Sequence, residues 1–439
     1  MTNFTRRTLV QGGTAIAATG ALAGPVLLDY AKAWAQASPW KPEAGAKLTV
    51  MRWKRFVPAE DEAFMAMVAA FQKANNVEVT VFSESFEDIQ PKASVSANTG
   101  QGPDLVWGLH SLPQLFPDKV IPMNDVADYL GKAYGGWTSA ASITCTQGKN
   151  WLGIPVATIG GYMNYRTAAM EKAGFKTFPT DFPSFLELCK ALKANNTPGG
   201  FALGHASGDA NAWLHWVLWG HNAWLVDQDD KVIINSPETA KALEYCKALS
   251  DTFISGCGSW NDSSNNKAFL AGEIFLTNNG ISIYVAAKGD PTKKEIAEDM
   301  NHALYPVGPI GKPTELQLCV PILAFNYTKF PNAAKAFVAF MLEKPNFDPW
   351  LIGAKGYLTQ CLNAYDANPV WTSDPKNAVF GQASKRSLPA SGIGHPGERA
   401  AAAIADFLVV DMFANYCLGR EDIKGTMAIA ERQAKRLYR

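Results

Sequence analysis

The side chains that could do acid–base, nucleophilic or metal chemistry are present here, but not in the spacings such chemistry uses. The six histidines (110, 205, 215, 221, 302 and 395) fall in no H-E-x-x-H or similar metal-ligand pattern. The seven cysteines (145, 189, 246, 257, 319, 361 and 417) form no C-x-x-C pair, which sets aside zinc and thioredoxin-like readings. Gly204-His205-Ala206-Ser207-Gly208 carries its serine one place late for a nucleophile elbow. No G-x-x-x-x-G-K-[ST] loop cradles a phosphate, and no G-x-G-x-x-G opens a helix. Forty acidic residues keep a carboxylate pair open, since two carboxylates need only meet in space. The sequence therefore indicates no cofactor, no metal and no catalytic residue.

The elements that would position any site alternate in type. Leu48 to Trp53 reads as a strand. Glu60 to Asn75 follows with apolar positions 64, 67, 68 and 71 at helical spacing. Val77 to Phe82 reads as a strand, Ile89 to Thr99 as a helix closed by Gly100, and Leu105 to Trp107 as a short buried strand. This β-α-β-α-β order predicts an α/β fold with a parallel sheet and crossover helices. A second αβ region is expected from Leu152 onward. It has strands at Leu152–Val156, Tyr162–Tyr165, Ile274–Thr277 and Leu316–Asn326. Helices are expected after Thr180-Asp181 and after Ser236-Pro237, both strong helix starts. The C-terminus reads as one helix from Arg399 to Leu418, a stop at Gly419, and another helix to Arg436.

Composition narrows the class further. The 439 residues balance 40 Lys and Arg against 40 Asp and Glu, and only 18% are charged. A neutral chain without basic clusters is a poor nucleic-acid binder, because that binding rests on cations neutralising phosphates. An apolar fraction of 47% excludes disorder. The N-terminus reads as an address. Thr5-Arg6-Arg7-Thr8-Leu9 followed by an uncharged stretch to Leu28 is a twin-arginine export pattern, with cleavage expected after Ala35 or Ala37. The product is expected in the periplasm, where disulfides are permitted. Cys246 with Cys257 is the nearest pairing, and an odd count leaves at least one free thiol.

Five stretches carry a family resemblance. They are Gly102-Pro103-Asp104-Leu105-Val106; Gly153-Ile154-Pro155 through Tyr162-Met163-Asn164-Tyr165-Arg166; Lys172-Ala173-Gly174-Phe175 with Pro179 to Phe182; Ala268 to Glu273 through Asn279-Gly280; and Asn332 to Phe340. In this order the chain resembles the extracellular solute-binding proteins of bacterial ABC importers, in particular the carbohydrate-binding, maltose-binding-protein-like family. Tyr165 stands where the family has Asn, and Gly102-Pro103 is one residue short of its motif. The resemblance implies a two-lobed α/β periplasmic binding protein fold with interlobe crossing strands and a ligand cleft. The lobes are expected at residues 38–157 with 306–345, and 158–305 with 346–439. Crossings are expected near 155–162, 304–309 and 344–349.

A sugar offers C–H faces and a rim of hydroxyls, so its site needs aromatic rings beside fixed hydrogen-bonding groups. The candidates are Trp53 and Arg55 after the first strand, Trp107 and His110 after the third, and Tyr162 at the first crossing. Trp213 and Trp216 lie on a helix, Trp260 in a loop, and Asn279, Gly280 and Tyr284 at the N-G turn. Tyr357 lies in a late loop. For Trp53, Trp107 and the helical tryptophans, core packing competes with ligand contact. The resemblance implies a non-enzymatic, monomeric receptor that binds a small molecule, a carbohydrate, and delivers it to a membrane permease. Two rivals stay open: a secreted carbohydrate-active enzyme, and a receptor for a charged solute such as a polyamine, an opine or a glycerol-phosphate ester.

Overall fold

The computed structural model describes residues 24–439. The twin-arginine pattern lies outside the described residues. The chain forms two compact units and passes between them three times. Unit 1 holds the chain up to Thr158 together with Cys319–Gly381; unit 2 holds Ile159–Leu318 and Gln382–Arg439. The second and third crossings therefore fall at 318/319 and 381/382, later in the chain than 304–309 and 344–349. Residues 344–349 instead begin the helix Lys344–Gly353. That helix stays in unit 1 because Phe347 and Trp350 are buried there and the Trp350 indole N–H reaches Glu60.

Nine strands position the candidate residues: β1 (Lys47–Trp53), β2 (Glu78–Glu84), β3 (Leu105–Trp107), β4 (Ile154–Ile159), β5 (Tyr162–Arg166), β6 (Leu276–Asn279), β7 (Met300–Ala303), β8 (Leu318–Ala324) and β9 (Thr359–Gln360). Unit 1 is built on a six-stranded sheet in the order β9-β4-β8-β3-β1-β2. β1 runs parallel to both β2 and β3, with Val50 opposite Val81 on one side and Leu105 on the other. The last four residues of β1 are all buried, as expected of a strand covered on both faces. The crossover helices are Pro58–Asn75 and Ile89–Thr99. Asn76 and Gly100, both in the left-handed region, end them by returning their N–H groups to Gln72 and Ser96.

The helix Gly24–Ala37 also belongs to unit 1. Leu27, Ala31 and Trp34 are buried, and the Trp34 ring meets Phe71 and Phe340. Lys41 Nζ closes its C-terminus on the carbonyls of Ala35 and Gln36 at 2.8 Å. Both expected cleavage points lie in the last turn of this packed helix.

Unit 2 holds a three-stranded antiparallel sheet, β6-β5-β7, in which Tyr162 is opposite Asn279. Around it lie helices with the expected starts. Asp181 Oδ1 accepts from Ser184 N at 2.9 Å at the head of Phe182–Ala194, and Ser236 Oγ accepts from Thr239 N at 3.2 Å at the head of Pro237–Ser250. The helix Asp209–Gly220 is buried at every position. The C-terminal helix differs from expectation. It is two helices, Glu398–Ala405 and Leu408–Cys417, broken where Phe407 adopts φ 55° and stacks on the His205 ring at 4.3 Å. The stretch Glu398–Cys417 is long and apolar enough to cross a membrane by length and composition, yet most of it is buried in the fold.

The cysteines also differ from expectation: all seven are free thiols, and Cys246 does not face Cys257. Cys246 Sγ lies 3.5 Å from Cys417 Sγ, because Pro237–Ser250 packs on Leu408–Cys417. Cys257 instead donates its thiol to the Ile254 carbonyl at 3.2 Å.

Candidate functional site

In unit 1 the carboxyl ends of β1 and β3 bring Trp53, Arg55 and Trp107 into one cluster. Neighbouring parallel strands end side by side, so residues far apart in the chain, Trp53 and Trp107, become neighbours. The Arg55 guanidinium carbon sits 3.7 Å over the Trp53 ring and 4.7 Å from the Trp107 ring centroid. Both indoles are fully buried, and the side chain of Arg55 is 1% exposed. Tyr357 acts electrostatically on Arg55 and packs edge-on against Phe56 at 6.1 Å. It follows Lys355 and Gly356, both at positive φ, so its loop is sharply turned. His110 is also buried, in a left-handed turn at φ 51°, with its N–H on the Cys319 carbonyl at 2.9 Å.

The structure adds residues that sequence reasoning passed over. Arg52 is fully buried inside β1, with its guanidinium 3.9 Å over Phe64 and 5.0 Å from Trp107. Glu60, also fully buried, is the hub. Its Oε2 lies 2.5 Å from Arg52 Nη2 and 2.9 Å from Arg55 Nε, and its Oε1 accepts from the Trp350 indole at 2.7 Å. Asp61 reaches only Arg52, at 3.8 Å, and is half exposed. Burial, reinforced by repulsion from Arg52, pushes the Arg55 pKa down to about 9 against the pull of Glu60. The sequence signal was an arginine in a strand whose neighbours, Met51 and Trp53, are both apolar. A charge in a doubly covered strand demands a buried partner.

Unit 2 gathers a different set. Tyr162 packs edge-on against Tyr305 at 6.1 Å, and Tyr305 lies against Trp216 at 4.8 Å. Glu315 adds its charge to both tyrosines and is bound by Arg386 at 3.1 Å. Burial raises the Glu315 carboxyl despite that partner. Asn279 Oδ1 accepts from Gly280 N at 2.7 Å, and its amide donates to Asn266 at 2.5 Å. Next to it, Asn265 and Asn278 both bond to Asp209, while Asp262 Oδ1 accepts the N–H groups of Gly208 and Asp209.

The remaining candidates also lie in unit 2. Trp213 and Trp216 are core residues, with indole N–H groups on the carbonyls of Ala202 and Pro306, both at 2.7 Å. Trp260 is half-buried and covers Gly200, where a Cβ would meet its ring at 2.5 Å. Tyr284 begins no loop; it sits in the helix Ser282–Gly289 beside His302.

Comparison with known proteins follows from this architecture. A family model described as bacterial extracellular solute-binding protein matches residues 66–379. The ABC transporter periplasmic-binding protein YcjN of Escherichia coli K12 is 23% identical over 435 residues, covering 94% of this chain and 98% of that protein. Among solved structures, maltose-bound MalE3 of T. maritima superposes with a TM-score of 0.76 at 17% identity, over 90% of this chain and 100% of that one. The GacH receptor of Streptomyces glaucescens, solved unliganded and with acarbose, gives 0.75 at 17%, over 90% and 99%. A sugar transporter protein of Arthrobacter chlorophenolicus with bound laminaribiose gives 0.75 at 19%, over 89% and 99%. With more than half its length matched by the family model, this chain belongs to the bacterial extracellular solute-binding protein family.

Proposed function

We propose that the protein is the solute-binding subunit of an ABC importer and that its solute is a sugar or sugar derivative. The observation that carries this is the cluster at the strand ends of unit 1, where the rings of Trp53 and Trp107 lie beside the guanidinium of Arg55. Open α/β sheets take ligands at the carboxyl ends of their strands, and aromatic faces beside fixed donors suit a polyol. Tyr162, Asn279 and the acid–amide group around Asp209 supply similar chemistry in unit 2. Solved relatives hold acarbose, laminaribiose or maltose, which supports a carbohydrate. The protein binds without turning its solute over, acts in the periplasm after twin-arginine export, and delivers to a membrane permease as a monomer.

Titrating tryptophan fluorescence with a panel of mono- and disaccharides, amino acids and polyamines tests this reading. Saturable change with sugars alone is expected. Saturation by polyamines alone, or product appearing on incubation with oligosaccharides, would overturn it.

A further inference from the structure

The buried charge of unit 1 does not close. Two guanidiniums, Arg52 and Arg55, share the single fully buried carboxylate of Glu60. The second acid, Asp61, lies 3.8 Å from Arg52, acts on Arg55 only from farther away, and is half exposed. Trp350 occupies the other oxygen of Glu60. Arg55 is thereby left with one ion pair and no well-aligned hydrogen bond, and both of its terminal nitrogens are buried without an acceptor. A guanidinium presents five donors in a planar fork matched to an oxyanion. Leaving such a group buried and unfilled is costly, and folds retain such groups mainly where a ligand completes them.

The position is as telling as the chemistry. Arg55 stands two residues past the carboxyl end of β1, with its flat face against Trp53. Arg55 lies against the two indoles, and its Nη1 and Nη2 have no acceptor. Tyr357, which follows the positive-φ pair Lys355 and Gly356, lies close enough to act electrostatically on Arg55.

We infer that the solute carries an oxyanion, a carboxylate or a phosphate on a sugar, and that the terminal nitrogens of Arg55 bind it. The inference rests on the solute-binding reading above and narrows its substrate class to acidic sugars. Overall neutrality does not oppose it, because a bidentate contact is set by local charge and geometry rather than by the net charge of the chain.

Calorimetric titration of the full-length mature protein with matched pairs tests it: galacturonate against galactose, and glucose 6-phosphate against glucose, with succinate as an acid that is not a sugar. One charge-assisted fork predicts that an acidic member binds at least about tenfold tighter than its neutral partner. Which pair shows the gain distinguishes carboxylate from phosphate. Arg55→Gln should erase that ratio and Arg55→Lys should restore part of it. The wild-type ratios decide the matter even if either variant fails to fold. Neutral sugars binding as well as or better than their acidic partners would overturn the anion site and leave the sugar reading standing. Succinate binding with none of the four sugars would overturn the sugar reading and support the anion site. Binding of none of the five would overturn both.

Discussion

At the scale of single residues, Glu60 is the position on which most depends. It is a fully buried acid shared by two buried arginines, and it also accepts the Trp350 indole. Removing one partner of a buried ion pair leaves an uncompensated charge, which costs about 3–5 kcal/mol. Glu60→Gln is therefore expected to lower stability on that scale in urea unfolding, and a loss under about 1 kcal/mol would show the cluster to be well solvated. His221 gives a pH signature. Burial lowers its pKa below the usual histidine value, although its Nδ1 bonds to the Val217 carbonyl at 2.9 Å. A base with a depressed folded pKa leaves the unfolded chain holding more protons below about pH 6.5. Its contribution is thus full above that pH and is lost as pH falls through it. Thermal melts of wild type should drop between pH 7.5 and 5.5 by more than those of His221→Gln; parallel drops would disprove the assignment.

At the scale of elements, the local signals were strong where one side chain sets one end. Asp181 and Ser236 stand directly before helices and accept the N–H groups that their positions predict. Gly100 and Asn76 stop helices by adopting φ values that most residues avoid. The helix Gly24–Ala37 is the element whose role sequence pattern alone leaves undecided. Its apolar residues suit an export signal, yet Trp34 packs on Phe71 and Phe340, and Tyr30 donates to Glu343 at 3.3 Å. Tyr129 and Tyr134 donate to the same carboxylate at 2.7 and 2.5 Å. A chain beginning at Gly24 should be more stable than one beginning at Ser38 by about 3 kcal/mol, the scale of losing one large buried aromatic. Coincident unfolding curves would show that the docked helix contributes nothing. The mass of the exported protein would then say which form the cell keeps.

At the scale of the whole molecule, the chain is two compact units, each with its own sheet and core. A protein that binds its solute only when folded is stabilised by mass action, by about 2.7 kcal/mol at a ligand concentration one hundred times Kd. The acidic sugar that saturates calorimetry should therefore raise the melting temperature in a concentration-dependent way. A ligand that changes fluorescence yet leaves the melting temperature fixed at such concentrations would be binding folded and unfolded chains alike.

Much of this protein was legible before folding. Periodicity and caps gave the β-α-β-α-β start. The order of five short stretches gave the family, and their places after strand ends put Trp53, Arg55 and Trp107 forward as candidates. These are local properties, set by neighbours along the chain, and neighbours are what a sequence displays. Tertiary structure decided the rest. It placed Arg52, Arg55 and Glu60 on one carboxylate, moved the second and third crossings to 318/319 and 381/382, and turned Cys246 toward Cys417 rather than Cys257. It also put Trp213 and Trp216 in the core. Each of these outcomes depends on which distant surfaces are buried together. Burial fixes whether a charge is paired, a thiol is faced or a ring is free, and it is a property of the packed chain rather than of any segment.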